Sequence, residues 1–306
     1  MDNNSGPNLI LVKTALDKLF TGETIALARE GKATALDPVV FTQDRAYNAA
    51  VVSSVEGGGG YFQTTTNDVP LVNQANITAA ALRTTLVVNF LDNMAISRTF
   101  MADQQLSAVE KGVTQRARAF VASRDRNAFN VFNLGFTTQT TIDGVALYSN
   151  SHVNQNGDTV DNLETGALTD SNLNVGVNSL RTQLGQSGVI EGYEPDYLLC
   201  SSLLHQTANA ITKSVLRAGT GNNDTNYWSD IYPGMKVVYS PFITSNTTWF
   251  IGARNNGVSR FDREGFSSTL VDWKYNANDQ YMYKMRAREV VDSIMYNGTV
   301  GSTGAA

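Results

Sequence analysis

From Gln43 to Thr85 the chain runs without the alternation of apolar and polar residues that lets a sheet sit on a core. Its centre reads "VVSSVEGGGGYFQTTTNDVP" (51–70), with four consecutive glycines between Val51, Val52 and Val55 on one side and a Tyr-Phe-Gln-Thr-Thr-Thr run on the other. Both flanks have high strand propensity, which predicts a hairpin with a glycine tip. The return, "TTTNDVPLVNQANITAAALRTT", is polar, and Val69, Pro70 and Leu71 are its only anchors. So long a segment with so little to bury is expected to project from the body. A phosphate loop does not fit. It needs glycines that turn into a helix N-terminus with a Lys and a Ser or Thr behind them, whereas Tyr61, Phe62 and Gln63 follow here and no lysine occurs between Lys32 and Lys111.

The remainder can fold conventionally, since 42% of the 306 residues are hydrophobic, enough for one large or two modest cores. A net charge of -5 argues against a protein whose main work is neutralising nucleic-acid phosphates, so any DNA contact is expected to be weak and local. The single cysteine, Cys200, excludes an intrachain disulfide and sits in "YLLCSS" as a small buried hydrophobe. The N-terminus has no basic leader region, and Lys13, Asp17 and Lys18 interrupt its apolar residues. No run approaches a membrane span, and synthesis in a cytoplasm is the expectation.

Ahead of the hairpin, Leu9, Val12, Leu16, Leu19 and Phe20 fall at helical spacing on a short arm that cannot bury much by itself. After it, a strand is predicted in "TLVVNFLDNMAIS" and a long helix in the following stretch to Phe132. Leu106, Val109, Val113, Ala117, Phe120, Val121, Ala128, Val131 and Phe132 share one face of that helix. Arg124 falls on the same face, which implies either a break near Ser123 to Asp125 or a buried partner. Lys111, Arg116, Arg118, Arg124 and Arg126 scatter around the wheel, as solvated residues do and a DNA-reading stripe does not. A polar, turn-rich connection follows. Then come a helix in "SNLNVGVNSLRTQLGQ", a buried strand in "PDYLLCSS", a helix in "LLHQTANAITKSVL" and strands in "GMKVVYSPF" and "TTWFIGA". The tail reads as two long strands, from Thr269 onward, joined by an Asn-Asp turn.

Tests for chemistry come back bland. The only histidines are His152, in the polar connection, and His205, near a helix start. A triad of His205 with Ser201 or Ser202 is formally possible, but neither serine has the G-x-S-x-G surroundings of a nucleophile elbow, and capping or core histidines fit better. One cysteine and two distant histidines offer no metal-ligand spacing. "NQNGDTVDN" (154–162) is oxygen-rich but lacks the alternating ligands and terminal Glu of a calcium loop, so it reads as a turn. "AGTGNND" has two of the three glycines of a dinucleotide fingerprint and opens no helix.

An arm, a projecting hairpin, a strand entering a long helix, an inserted α/β unit and a returning strand pair together resemble the tailed-phage major capsid proteins. "MAISRTFMAD" (94–103) resembles the family's strand-to-spine junction, and "DGVALYSNSH" (143–152) the Asp-Gly-x-x-Leu-[Tyr/Phe]-Ser-x-x-His stretch of Mu-like head subunits. "EPDYLLCSSLLHQTANAITKS" is similar to the family's Arg-Pro-x-x-Leu-x-x-Pro-x-x-Leu-x-x-x-Ala segment, departing at Glu194-Pro195 and Ser201-Ser202. "GMKVVYSPFI" with "TTWFIGA", and the close of the chain from Arg286 to Gly301, also resemble family stretches. The arm and hairpin match in position rather than in motif.

The resemblance implies an α+β fold of the Hong Kong ninety-seven (Johnson) type. It would comprise an N-terminal arm (1–42), an extended loop (43–85), a peripheral domain with a spine helix (86–169), an axial α/β domain (170–262) and peripheral return strands (263–306). It implies a non-enzymatic subunit, with no catalytic, cofactor or metal site, that assembles as hexamers and pentamers into an icosahedral shell around the double-stranded DNA of a tailed phage. Scaffolding protein, portal and a decoration or cement protein are the implied partners, with weak non-specific DNA contact and no membrane. The subunit would end in the virion after assembly in the host bacterial cytoplasm. Val12, Leu16 and Phe20 of the arm and Glu56, Gly58, Tyr61 and Phe62 of the loop are the expected intersubunit contacts. An encapsulin-like cargo shell is the alternative of related fold, and a hydrolase using His205 and Ser202 the alternative of another class.

Overall fold

The computed structural model describes residues 9–29, 41–44, 49–56, 78–102, 106–216, 225–254, 256–276 and 278–305. Helix α1 (Leu9–Arg29) is 21 residues long, running well past the arm helix expected from the apolar spacing. β1 (Phe41–Asp44) lies parallel to a later strand, and β2 (Ala49–Glu56) pairs antiparallel with β3 (Thr78–Leu86), inside the stretch expected to be a polar return; the four glycines and the Tyr61–Thr66 run expected as the hairpin's tip and second strand lie outside the described residues. β4 (Val88–Ser97) leads through the short α2 (Arg98–Ala102) to the spine helix α3 (Leu106–Asn133), 28 residues without a break at Arg124. In the polar connection β5 (His152–Val153) and β6 (Thr159–Val160) form a small hairpin, and β7 (Leu163–Glu164) follows.

The helices and strands expected for the α/β unit are present. The unit contains α4 (Asp170–Thr182), β8 (Tyr197–Ser201), α5 (His205–Lys213), α6 (Tyr227–Ile231), β9 (Lys236–Ser240) and β10 (Trp249–Gly252). Thr169 starts α4 by accepting a hydrogen bond from the Asn172 N–H, a side-chain cap that satisfies a free helix donor. The tail forms β11 (Val258–Val271), β12 (Gln280–Ser293) and β13 (Thr299–Ser302). β11 starts eleven residues before Thr269. It stops where Asp272 accepts from the Lys274 N–H and turns Trp273–Tyr275 into a 3₁₀ helix. Asp279, with φ 52°, occupies the left-handed region that an Asp tolerates at such a turn.

Two sheets organise these elements. The order β1-β11-β12-β4 forms a four-stranded sheet, and β7-β13-β10-β8-β9 forms a five-stranded one. Odd-numbered residues of β12 point to one face, where Tyr281, Tyr283 and Met285 pack with Val109, Val113 and Ala117 of α3 and with Leu16 and Phe20 of α1. The five-stranded sheet carries the second core, in which Trp249 and Ile251 meet Leu173, Val177 and Leu180 of α4.

The last strand departs from the expectation that residues 263–306 return to the sheet of the spine helix. Thr299–Ser302 instead lie between β7 and β10 in the five-stranded sheet, all four buried. Small residues permit this. A Cβ at Gly301 would stand 2.7 Å from the Tyr148 ring, so only glycine lets β13 pass that aromatic.

Candidate functional site

The arm and the hairpin, the elements expected to act, are held by two different roots. Among the described residues β2 pairs with β3 alone, in a register running from Ala49 opposite Leu86 to Glu56 opposite Thr78. Its base is fixed by Asp292 of β12. Arg83 grips that carboxylate through Nε at 3.1 Å and Nη2 at 2.9 Å, and also donates to the Thr141 carbonyl at 3.2 Å. The Thr85 hydroxyl donates to Asp292 as well. With Asp292 7% exposed, these charge-assisted bonds make a rigid foot under the projecting ladder. Sequence reasoning missed Asp292; its only signal was an acid in an otherwise apolar "VVDSIM" run.

The arm helix is not left uncovered within its own chain. Leu16 and Phe20, expected to await a neighbour, are 4% and 1% exposed against α3 and β11, and Val12 packs half-buried on the same cluster. Phe20 stacks on Phe266 with ring centroids 3.9 Å apart and meets Phe120 at 5.6 Å. Asp17 clamps the helix to the same sheet, accepting from Ser268 of β11 and Tyr283 of β12. Burial pushes its carboxyl up, yet hydrogen bonds from Lys13, Ser268 and Tyr283 outweigh that and hold it below its usual value. Glu56 ends β2, while Gly58, Tyr61 and Phe62 lie outside the described residues.

The chemistry-bearing residues are spoken for structurally. His152 is fully buried, with Nδ1 2.6 Å from Asp143 Oδ2, Nε2 3.2 Å from the Leu147 carbonyl, and its ring stacked on Tyr296 at 4.3 Å. "DGVALYSNSH" is therefore a clasp. Asp143 also accepts from the Val145 N–H and the Thr141 hydroxyl, and Leu147 and Tyr148 enter the core. Asn162 closes it, accepting from the Ser149 N–H and donating to the carbonyls of Leu147, Tyr296 and Thr299. In "NQNGD", Asn154 Oδ1 accepts from the N–H groups of Asn156 and Asp158, an Asx turn rather than a cation cage.

The His205 ring is half-buried against Tyr239, 4.0 Å between centroids, and neither caps a helix nor sits in a core. Ser201 is buried and donates to the Asn246 carbonyl at 3.4 Å, while Ser202 faces out. Cys200 is buried, and desolvation pushes its thiol up to about 12. Among the described residues there is no cluster of His, Cys, Asp and Glu fit for a metal and no helix long and apolar enough to cross a membrane.

The described residues thus build a ladder on a buried foot, a spine helix and two sheets. The family model described as phage capsid protein matches residues 92–291, and the chain belongs to that family of structural, non-enzymatic proteins. The capsid of Myoviridae phage XM1 superposes with a TM-score of 0.51 at 14% identity over 89% of this chain and 92% of that one. Microbacterium phage Oxtober96 gives 0.54 at 11% identity, over 89% and 90%. A virus-like particle from Pyrococcus furiosus gives 0.56 at 8% identity, over 94% and 98%. These neighbours share the Hong Kong ninety-seven type of fold with this chain. No curated protein matches the sequence.

Proposed function

We propose that this chain is the major capsid subunit of a tailed phage, building an icosahedral shell of hexamers and pentamers around double-stranded DNA. The supporting observation is the β2–β3 ladder, which stands on Asp292 and, among the described residues, has no other strand to pair with. Such a ladder gains most of its burial when a second copy covers it, and many copies of one modest interface add up to a strong shell. In this reading residues 1–42 are the arm and 43–85 the extended loop, while 86–169 and 263–306 make the peripheral part around an axial part at 170–262. Glu56, Gly58, Tyr61 and Phe62 lie against a neighbour. Val12, Leu16 and Phe20 shape the arm for its partner from within. Scaffolding, portal and decoration or cement proteins join the same shell, DNA is touched weakly, and assembly takes place in the bacterial cytoplasm. A Mu-like kinship rests on the clasp at 143–152.

Electron microscopy of the expressed chain, with and without Val51–Thr66, tests this. Intact subunits form closed shells or capsomers, given scaffold where needed, and the deleted ones stay folded without closing. A folded, monodisperse 33.2 kDa species under all conditions, scaffold included, would overturn the proposal.

A further inference from the structure

Directly opposite one another in the β11–β12 ladder stand two acids, Asp262 and Glu289. Glu289 is 8% exposed and gives both carboxylate oxygens to Arg124 of α3, at 2.6 Å each. Asp262 takes one hydrogen bond, from Arg260 Nη2 at 3.1 Å, while its Oδ1 is enclosed and has no hydrogen-bond partner among the described residues. A shut-in carboxylate oxygen beside a second carboxylate is costly unless a proton lies between them. The ladder also slips register twice just here, between Asp262 and Glu264 and between Glu264 and Ser267. Such bulges bend a strand and concentrate its twist.

We propose that Asp262 keeps its proton against Glu289 across the strand pair, and that its loss as pH rises loosens the bend at the bulge. The charged groups on the elements packed here are Arg124 and Asp125 of α3, Arg260, Arg263 and Glu264 of β11, Arg288 of β12 and Asp44 of β1, which stands opposite Asp262 in the parallel register; β4 contributes Val88 opposite Glu289. Arg124 gives two hydrogen bonds to Glu289, and Arg260 is hydrogen-bonded to Asp262. Burial raises the Asp262 carboxyl most, Arg260 pulls it down, and the neighbouring Glu289 charge adds to the rise. A raised acid is held best while protonated, so its contribution is complete at low pH and is lost as pH rises through the folded value, above the ordinary 3.8. The device needs only the folded subunit and does not depend on shell assembly.

Infrared difference spectra and melting curves of the full chain between pH 4 and 8 test it. A protonated-carboxyl band should persist above the ordinary carboxyl range and vanish in Asp262→Asn. Asp262→Asn should melt roughly 2–4 °C above the parent at pH 8, a gap that closes as pH falls. Should the variant fail to fold, the band in the parent decides alone. No such band, or a melting gap constant across pH, would overturn the proposal.

Discussion

Arg124, on the spine helix, holds Glu289, on β12, through two hydrogen bonds of 2.6 Å. The pair lies in the seam between helix and sheet, with 30% of the Arg124 side chain and 11% of Glu289 still exposed. Breaking a fully buried pair costs about 3–5 kcal/mol because the surviving charge is stranded. Partial exposure lowers that here, and Arg124→Ala should cost about 2–3 kcal/mol of stability, read from denaturant titrations. The double change Arg124→Met with Glu289→Leu should recover much of the loss, since neither site then strands a charge. A double variant no better than the single would show that the pair is incidental.

The part-buried contact between Asp143 and His152 makes stability depend on acid in the opposite sense to a raised carboxyl. Burial alone would lift Asp143, but hydrogen bonds from His152, the Thr141 hydroxyl and the Val145 N–H outweigh it and hold the group below 3.8. The unfolded chain then binds more protons than the folded one over that range, so the contribution is complete above it and lost as pH falls through the folded value. At pH 6 Asp143→Asn should be less stable by about 1–3 kcal/mol, the scale for hydrogen bonds to a charged group. The gap should narrow steadily on acidification below about pH 4, and urea titrations along a pH series would measure it.

Much of this architecture could be read from residue order, and the unread parts share one cause. The face running from Val109 to Phe132 repeats at helical spacing and announces α3 without ambiguity. Arg124 stood out on that face, but its partner is 165 residues away, and no local pattern chooses between a helix break and a distant carboxylate. The same holds for Phe20, whose stacking partner is Phe266, and for the foot of the hairpin at Asp292. β1 and β13, four residues each, are too short to show alternation and exist because other strands offer them an edge.

Cys200 should resist alkylation. Its thiol is buried and raised to about 12, so almost none is thiolate near neutral pH, and reagents reach it only when the five-stranded sheet opens. A native subunit treated with a maleimide for an hour at pH 7 should keep its mass, and the same protein in denaturant should gain one adduct. Rapid native labelling would contradict this burial.

Particles should come apart in hot detergent without covalent multimers. A loop-to-neighbour isopeptide bond needs a lysine amine that can shed its proton and attack a carboxamide or carboxyl carbon. Residues 43–85 contain no lysine, and arginine stays protonated far above physiological pH. A ladder of bands that survives boiling and reductant would refute it.

The place of β13 sets a timetable for birth on the ribosome. Thr299–Ser302 fill the gap between β7 and β10, so strands made from residue 163 onward wait for the chain to reach residue 302 before their sheet can close. The half holding α3 can begin to settle earlier, yet Val290, Val291 and Ile294 are also late arrivals. A nascent subunit therefore stays geometrically unfinished until this stretch has emerged.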